Sequence, residues 1–374
     1  MTREELLNQL HTVASNPAAQ LKKYLDAGEK VVAVAPVYTP EEVIHAMGFV
    51  PMGVWGADVE LSASKEYFPA FICSVLQSIL EMGMKGTYNG VSAIVVPSLC
   101  DSLKCLGENW KYAVPSIPFI PMVYPQNRAN QNGVDFAVAG YRRVAADLEK
   151  ATGAKLTDEA LSRSIRIYNE HNKAMRAISA ELARHPEITA AQRSDIFKSA
   201  WFMRKEEHTA LVNELLKVLA AEPAGEKKID IVTSGILCDS PALLEVFDRL
   251  GFHIVADDIA AESRQYRVDC AEEGDPIVAL GWKFANMGNC SVLYDVNKGR
   301  ADHIVKIAKE KGARGVVMVM TKFCDPEEFD YVIIKKACDE ADLPVIQIEV
   351  DRQMQEMGQI ATALETYRDL LENR

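Results

Sequence analysis

Apolar runs of strand length recur along the chain and alternate with segments of helical periodicity, and several of these runs are uninterrupted. Such runs occur at 31–38, 49–55, 91–98, 117–124, 227–237, 252–258, 314–321 and 343–350. Strands that are apolar at every position are buried on both faces, which is typical of parallel sheets covered by helices. Before the first run, residues 4–27 are predicted to form one helix with an exposed charged face.

The middle of the chain lacks strand patterns and is predicted to be helical. Its helices stop at Gly153, at His185-Pro186 and at Glu222-Pro223, since glycine and proline end helices. The fold class is therefore α/β, with two doubly wound parallel-sheet domains, Rossmann- or flavodoxin-like, and a helical region between them. The predicted parts are an N-terminal α/β domain at 1–132, the helical region at 133–225 and a C-terminal α/β domain at 226–374.

Charge and hydropathy exclude several classes of protein. The 374 residues include 41 Lys+Arg and 53 Asp+Glu, a net charge of −12, which argues against binding to nucleic-acid phosphates. No run approaches the roughly 18–20 apolar residues of a membrane span. The start, MTREELLNQL, lacks the basic and apolar stretches of a signal peptide, so we expect a cytoplasmic protein. The sequence contains no GxxxxGK[ST] motif, which disfavours ATP hydrolysis, and no GxGxxG motif after a strand.

Eight cysteines are unusual in a protein expected to stay in a reducing compartment, where disulfides are rare. Three of them follow a strand directly and precede an aspartate and a helix start, in VVPSLCDS, VTSGILCDS and VMTKFCDP. These are Cys100, Cys238 and Cys324. Ligands of open α/β sheets bind beyond the carboxyl ends of the strands, so each Cys-Asp pair is predicted to lie at the functional edge.

The candidate ligand group comprises Cys73, Cys100, Cys105 and Cys324. Cys105 follows Cys100 on the next helix, and Cys73 lies near a helix start in PAFICSVLQ, where the helix N-terminus favours thiolate. Thiolates from separate strand ends can share one iron–sulfur cluster. Two other interpretations stay open, a buried inert set of cysteines and a zinc site. The seven histidines form no paired ligand motif, and most are predicted on helix surfaces.

The remaining candidates are weaker. Cys238 could be functional or could pack beneath its loop; Cys270 is predicted to be exposed, and Cys290 and Cys338 to be structural. The segment ADDIAAESRQYR at 256–267 is either a site or subunit contact, or a solvated loop. Glu41 and Glu42 are predicted on a solvated helix face.

At these residues the chain resembles the 2-hydroxyacyl-CoA dehydratase family, which also includes benzoyl-CoA reductase-type subunits. The similar segments are YFPAFICS, VVPSLCDSLK, SGILCDSPALLEVFDRLGFHIVADDIAAESRQYR, TKFCDPEEFDYVIIKKACDEADLPVIQIEVD and GQIATALETYRDLL. They span nearly the whole chain. Its length and terminal pattern resemble the smaller, beta-type subunit.

The resemblance implies an oxygen-sensitive hydro-lyase. Such an enzyme is a heterodimer with a homologous larger alpha subunit, and each subunit holds a [4Fe–4S] cluster. An ATP-dependent iron–sulfur activator protein delivers one electron, and water leaves an (R)-2-hydroxyacyl-CoA through a ketyl radical to give a 2-enoyl-CoA. The expected substrate is 2-hydroxyisocaproyl-CoA, in anaerobic leucine fermentation. By resemblance Cys73, Cys100 and Cys324 hold the cluster, with Cys105 as the fourth candidate; catalytic residues stay unassigned.

Two alternatives accompany this expectation. The same motifs would suit a subunit of an aryl-CoA reductase of the benzoyl-CoA type. A protein of another class, a metal-free two-lobed ligand-binding protein, would use the cleft between the two α/β halves without a cluster.

Overall fold

The N-terminal half is built on a four-stranded parallel sheet. The computed structural model describes residues 1–354 and 356–374. The strands are β1 Val31–Val34, β2 Val50–Gly53, β3 Ala93–Pro97 and β4 Phe119–Met122, in the order β2-β1-β3-β4. All residues of β1, β2 and β3 are buried, as their unbroken apolar sequences require.

The C-terminal half repeats this topology. Its strands are β5 Ile229–Gly235, β6 Phe252–Ile259, β7 Gly315–Thr321 and β8 Val345–Val350, all parallel, in the order β6-β5-β7-β8. In each sheet the second strand along the chain pairs with one side of the first strand, and the third strand pairs with the other side of the first. The crevice between the first and third strands is therefore the topological switch point at which such sheets bind ligands.

Fourteen α-helices occupy the described residues. They are α1 Arg3–Ser15, α2 Pro17–Asp26, α3 Glu41–Ala46, α4 Ser74–Met84, α5 Asp101–Ala113, α6 Gln131–Thr152, α7 Asp158–Leu182, α8 Ala190–Ser199, α9 Lys205–Ala221, α10 Pro241–Arg249, α11 Pro276–Asn286, α12 Arg300–Lys311, α13 Asp325–Glu340 and α14 Gly358–Glu372. The two doubly wound sheets and the helices between them confirm the predicted fold class.

The single helix predicted at 4–27 is wrong. The chain breaks at Asn16, which ends α1 and caps α2 by accepting a hydrogen bond from the backbone N–H of Ala19 at 3.1 Å. Pro17 then occupies the first helical position, where its missing N–H costs nothing. Leu6, Leu7 and Leu10 of α1 pack into the apolar core of the helical region.

The two sheets share one continuous core. Buried side chains of β1 and β3 belong to the same apolar cluster as those of β5 and β7, together with helices from both halves. The boundaries 132/133 and 225/226 stay predictions. The shared core holds the carboxyl edges of the two sheets in fixed positions relative to each other.

Candidate functional site

Three cysteines occupy equivalent positions, each immediately before the first residue of a helix. Cys73 precedes α4, Cys100 precedes α5, and Cys324 precedes α13. The carbonyl group of each accepts a hydrogen bond from the first turn of its helix, at 3.1 Å from Leu76 N for Cys73. Cys100 and Cys324 follow β3 and β7, the third strands of the two sheets, so both lie at topological switch points.

All three cysteines line one cavity of about 510 Å³ between the halves of the molecule. Cys73 and Cys100 come from the N-terminal half and Cys324 from the C-terminal half. Apolar side chains form much of the wall, and charged side chains also line it. The apolar residues include Val37, Leu76, Leu103, Leu293, Phe323 and Phe329, and the charged residues include Lys104, Lys298 and Asp325. The geometry therefore supports the predicted convergence of Cys73, Cys100 and Cys324.

The three thiols are close enough to affect one another's ionisation. Burial raises the pKa of all three, and for Cys100 it raises the pKa to about 11 against the opposing N–H groups of its helix. The Cys73 and Cys100 thiolates each raise the pKa of Cys324 further. Without a cation these thiols therefore stay protonated, and ligation of a metal would release their protons.

The donor set suits a polynuclear cluster better than a single ion. Thiolates that bind one zinc ion sit about 2.3 Å from it, so their sulfur atoms lie close together. In the described ranges, the only trio of ligand atoms lying within 4.8 Å of one another is that of His185, Glu187 and Glu222. At least one pair of the cavity cysteines' sulfur atoms therefore lies more than 4.8 Å apart, which is farther than ligation of one zinc ion allows. In the trio of His185, Glu187 and Glu222, both glutamates already form ion pairs with Arg3, at 3.3 Å for Glu187 and 2.6 Å for Glu222.

The fourth candidate, Cys105, is exposed on α5 and does not contribute to the cavity lining. Cys238 is buried and lines a separate small pocket with Asp239 and Arg352, although it also follows a strand. Cys238 does not directly precede the first residue of a helix, as Cys73, Cys100 and Cys324 do. The next helix, α10, starts two residues later than that pattern would give, because Ser240 is its capping residue.

The prediction that Cys270 is exposed is wrong. Its side chain is buried, and its backbone N–H and carbonyl both bind the side chain of Asn169 on α7, at 2.9 and 2.8 Å. The polar residues that flank Cys270 in the sequence therefore do not indicate that its side chain is exposed. Cys290 and Cys338 are buried, as expected.

The segment 256–267 is a buried ion network rather than a solvated loop. Asp258 accepts hydrogen bonds from Arg264 at 2.9 Å and Arg300 at 2.8 Å, and Arg300 also binds Glu327 at 2.7 Å. Glu327 lies in the first turn of α13, and Ser291 in the cavity wall donates to it at 2.6 Å. The network therefore fixes the helix that follows Cys324.

A second arginine contact secures another part of the cavity wall. Arg128, which is buried, donates through Nε to the carbonyl of Met287 at 3.0 Å and through Nη1 to the carbonyl of Tyr294. Tyr294 lines the cavity. Sequence reasoning misses this contact, because its acceptors are backbone carbonyls in a distant segment.

Two predictions are wrong, namely that most of the histidines lie on helix surfaces and that Glu42 lies on a solvated helix face. His171 and His208 are fully buried on facing helices, with Nε2 of His171 3.0 Å from Nδ1 of His208. Glu42 is also buried, because its carboxylate pairs with Lys283 of α11 across the interior of the molecule. Helical periodicity alone does not reveal which face a second domain covers.

Within the part of the chain that the structure describes, none of the helices is both long enough and apolar enough to span a bilayer.

Comparisons with known proteins identify the family. The family model of the 2-hydroxyglutaryl-CoA dehydratase D-component matches residues 36–371. The chain is 42% identical to the (R)-phenyllactyl-CoA dehydratase beta subunit of Clostridium sporogenes over 98% of this chain and 99% of that protein. It is 39% identical to the lactoyl-CoA dehydratase subunit beta of Anaerotignum propionicum, over 98% and 99% respectively. It is 38% identical to the (R)-2-hydroxyglutaryl-CoA dehydratase subunit beta of Acidaminococcus fermentans, over 99% and 100%. The chain therefore belongs to the 2-hydroxyglutaryl-CoA dehydratase D-component family, within the 2-hydroxyacyl-CoA dehydratases that its motifs resemble.

Proposed function

We propose that this chain is the iron–sulfur beta subunit of an (R)-2-hydroxyacyl-CoA dehydratase and that Cys73, Cys100 and Cys324 hold a [4Fe–4S] cluster. The observation that carries the proposal is the position of all three cysteines around one cavity between the two sheets. Cys105 does not line this cavity and is left out of the proposed ligand set. The family match and the beta subunits named among the relatives support the enzyme class.

The chemistry of the proposed group is one-electron transfer, which elimination of a 2-hydroxyl group needs because the β-hydrogen is not acidic enough for simple elimination. This chain supplies the thiolates that hold the group, and the N-termini of α4, α5 and α13 favour their negative charge. The apolar wall formed by residues such as Leu76 and Leu293 limits access of water.

The proposed substrate class is a 2-hydroxyacyl-CoA, with 2-hydroxyisocaproyl-CoA as the first compound to test. The relatives are named for phenyllactyl-, lactoyl- and 2-hydroxyglutaryl-CoA, which share the 2-hydroxy thioester and differ in the acyl side chain. The proposed partners are a homologous larger alpha subunit and an ATP-dependent activator protein. A role in leucine fermentation follows if the isocaproyl compound is turned over.

Cysteine variants test the proposed ligand set. After anaerobic reconstitution, Cys73→Ser, Cys100→Ser and Cys324→Ser should each lose most of the iron that the wild type retains. Cys105→Ser and the buried control Cys338→Ser should retain it. Retention by Cys100→Ser together with loss by Cys105→Ser would show that the ligand set is wrong.

An assay with the alpha subunit and the activator tests the reaction. We expect 2-hydroxyisocaproyl-CoA, phenyllactyl-CoA or lactoyl-CoA to yield the 2-enoyl-CoA. Turnover of benzoyl-CoA alone would favour the aryl-CoA reductase. A colourless wild-type protein that binds a small ligand without iron would favour the metal-free alternative.

A further inference from the structure

Arg352 of the C-terminal half reaches into the N-terminal half beside the cysteine site. It follows β8 at the carboxyl edge of its sheet, and its side chain is only 11% exposed. Its Nη2 atom donates to the carbonyl oxygens of Trp55 at 2.7 Å and Gly56 at 3.0 Å, and Nε donates to Trp55 at 3.1 Å. The guanidinium therefore holds the segment after β2 against the other sheet.

The same residue also binds the helix that starts after Cys73. Its backbone N–H donates to Oγ of Ser74 at 3.0 Å, and Ser74 is the first residue of α4. Ser74 is itself buried. Arg352 thus contacts the residue adjacent to a proposed ligand through its main chain and the neighbouring β2 segment through its side chain.

A buried carboxylate fixes the orientation of the guanidinium. Nη1 of Arg352 lies 2.6 Å from Oδ1 of Asp239, and Lys198 lies 3.0 Å from Oδ2 of the same carboxylate. Burial would raise the pKa of Asp239, but the two cations hold it well below its usual range. Arg352 and Lys198 thus pair with the same buried carboxylate.

The guanidinium lies beside the start of α4. Arg352 lines the same small pocket as Ser74 and Val75, the two residues that follow Cys73. A buried positive charge stabilises an anion more than the same charge in water, because the dielectric is lower. The potentials of iron–sulfur clusters respond to nearby charge and hydrogen bonds in the same way.

We propose that Arg352 is a positioning residue of the cysteine site: it locks the start of α4 to the C-terminal sheet and raises the reduction potential of a cluster held by Cys73, Cys100 and Cys324. This inference rests on the proposed function, since it concerns the same group. Arg352 lies outside the cavity lining and touches none of the reacting atoms.

Two substitutions separate its charge from its hydrogen bonds. In Arg352→Gln the midpoint potential, measured by an EPR-monitored titration of the isolated chain, should move to a more negative value. Loss of iron to a chelator should be about 10-fold faster or more, the usual effect of removing a supporting residue. Arg352→Lys should keep a potential near that of the wild type but lose iron faster, because lysine cannot bind two carbonyls and a carboxylate together.

Arg176→Gln is the matched control. Arg176 also binds a carbonyl and a carboxylate across a domain contact, those of Tyr266 and Asp269, but it lies on α7. It should change neither the potential nor the iron loss. An unchanged potential in Arg352→Gln, or an equal shift in Arg352→Lys, would overturn the inference. If Arg352→Gln fails to fold, iron loss from Arg352→Lys at the wild-type rate would overturn it.

A measurement on iron-free protein distinguishes this inference from the proposed function. Iodoacetamide should modify Cys73 faster in Arg352→Lys than in the wild type. Residue 352, whose backbone N–H binds Ser74, is then no longer held in place by the guanidinium contacts with Trp55, Gly56 and Asp239. Mass spectrometry measures the rate. Equal rates would contradict the positioning role. A wild-type chain that never binds iron would instead refute the proposed function, whatever the alkylation rates are.

Discussion

At the scale of single residues, buried charge is stabilised by dense pairing. The Asp258 side chain is fully buried and accepts hydrogen bonds from Arg264, Arg267 and Arg300. Burial alone would raise its pKa, but the three guanidinium groups hold that pKa far below the usual range. Such a network fixes geometry, but removal of one member leaves buried charges without partners.

Arg300→Met tests this at one residue. The variant leaves Asp258 and Glu327 each without one of their arginines, so the free energy of unfolding should fall by about 3–5 kcal/mol. Urea denaturation measures the change. The control Arg249→Met removes an exposed ion pair with Glu365 and should have no measurable effect. A change in Arg300→Met as small as that of the control would show that the network contributes little.

At the scale of elements, the starts of three helices carry the site. The pattern of an apolar strand followed by Cys-Asp predicts the positions of Cys100 and Cys324, because a buried parallel strand ends at the functional edge. The segment PAFICSVLQ predicts a helix start near Cys73, and α4 begins at Ser74. Cys105 cannot be placed from spacing alone, because Cys100 is the extended residue before α5 and does not follow the periodicity of the helix.

The helices α7 and α9 meet at a buried histidine pair that makes stability depend on pH. Burial lowers the pKa of His208 from 6.5 to about 3 and holds that of His171 well below its usual value. As the pH falls below about 6.5, these two histidines therefore bind protons in the unfolded chain but stay neutral in the folded chain. The stabilisation is present above about pH 6.5 and is lost as the pH falls toward 3.

His208→Asn should weaken this dependence. At pH 7 the variant should be less stable by about 1–3 kcal/mol, because the buried partners Ser199 and Ile196 lose a hydrogen bond. Between pH 7 and pH 4.5 it should lose less stability than the wild type. Urea unfolding at several pH values measures both slopes. The exposed control His11→Asn should follow the wild type, and parallel slopes for His208→Asn would contradict the assignment.

At the scale of the whole molecule, the sequence predicts the two sheets and the edge at which they meet, because unbroken apolar strands and the Cys-Asp pairs are local signals. It does not predict how the halves are joined. Arg128 and Arg352 bind backbone carbonyls more than 150 residues away in the chain, and a carbonyl carries no sequence signature. Glu42, His208 and Cys270 look exposed locally but are buried by segments distant in sequence.

The site exists only when both halves of the chain are folded together, since Cys324 comes from one half and Cys73 and Cys100 from the other. The most direct test is the anaerobic determination of iron, acid-labile sulfide and the EPR spectrum of the reduced wild-type chain. The proposal predicts about four iron atoms and about four sulfides per chain, with the EPR signal of a cluster ligated by cysteine. A protein that is free of iron and sulfide, or that binds a single zinc ion instead, would contradict it.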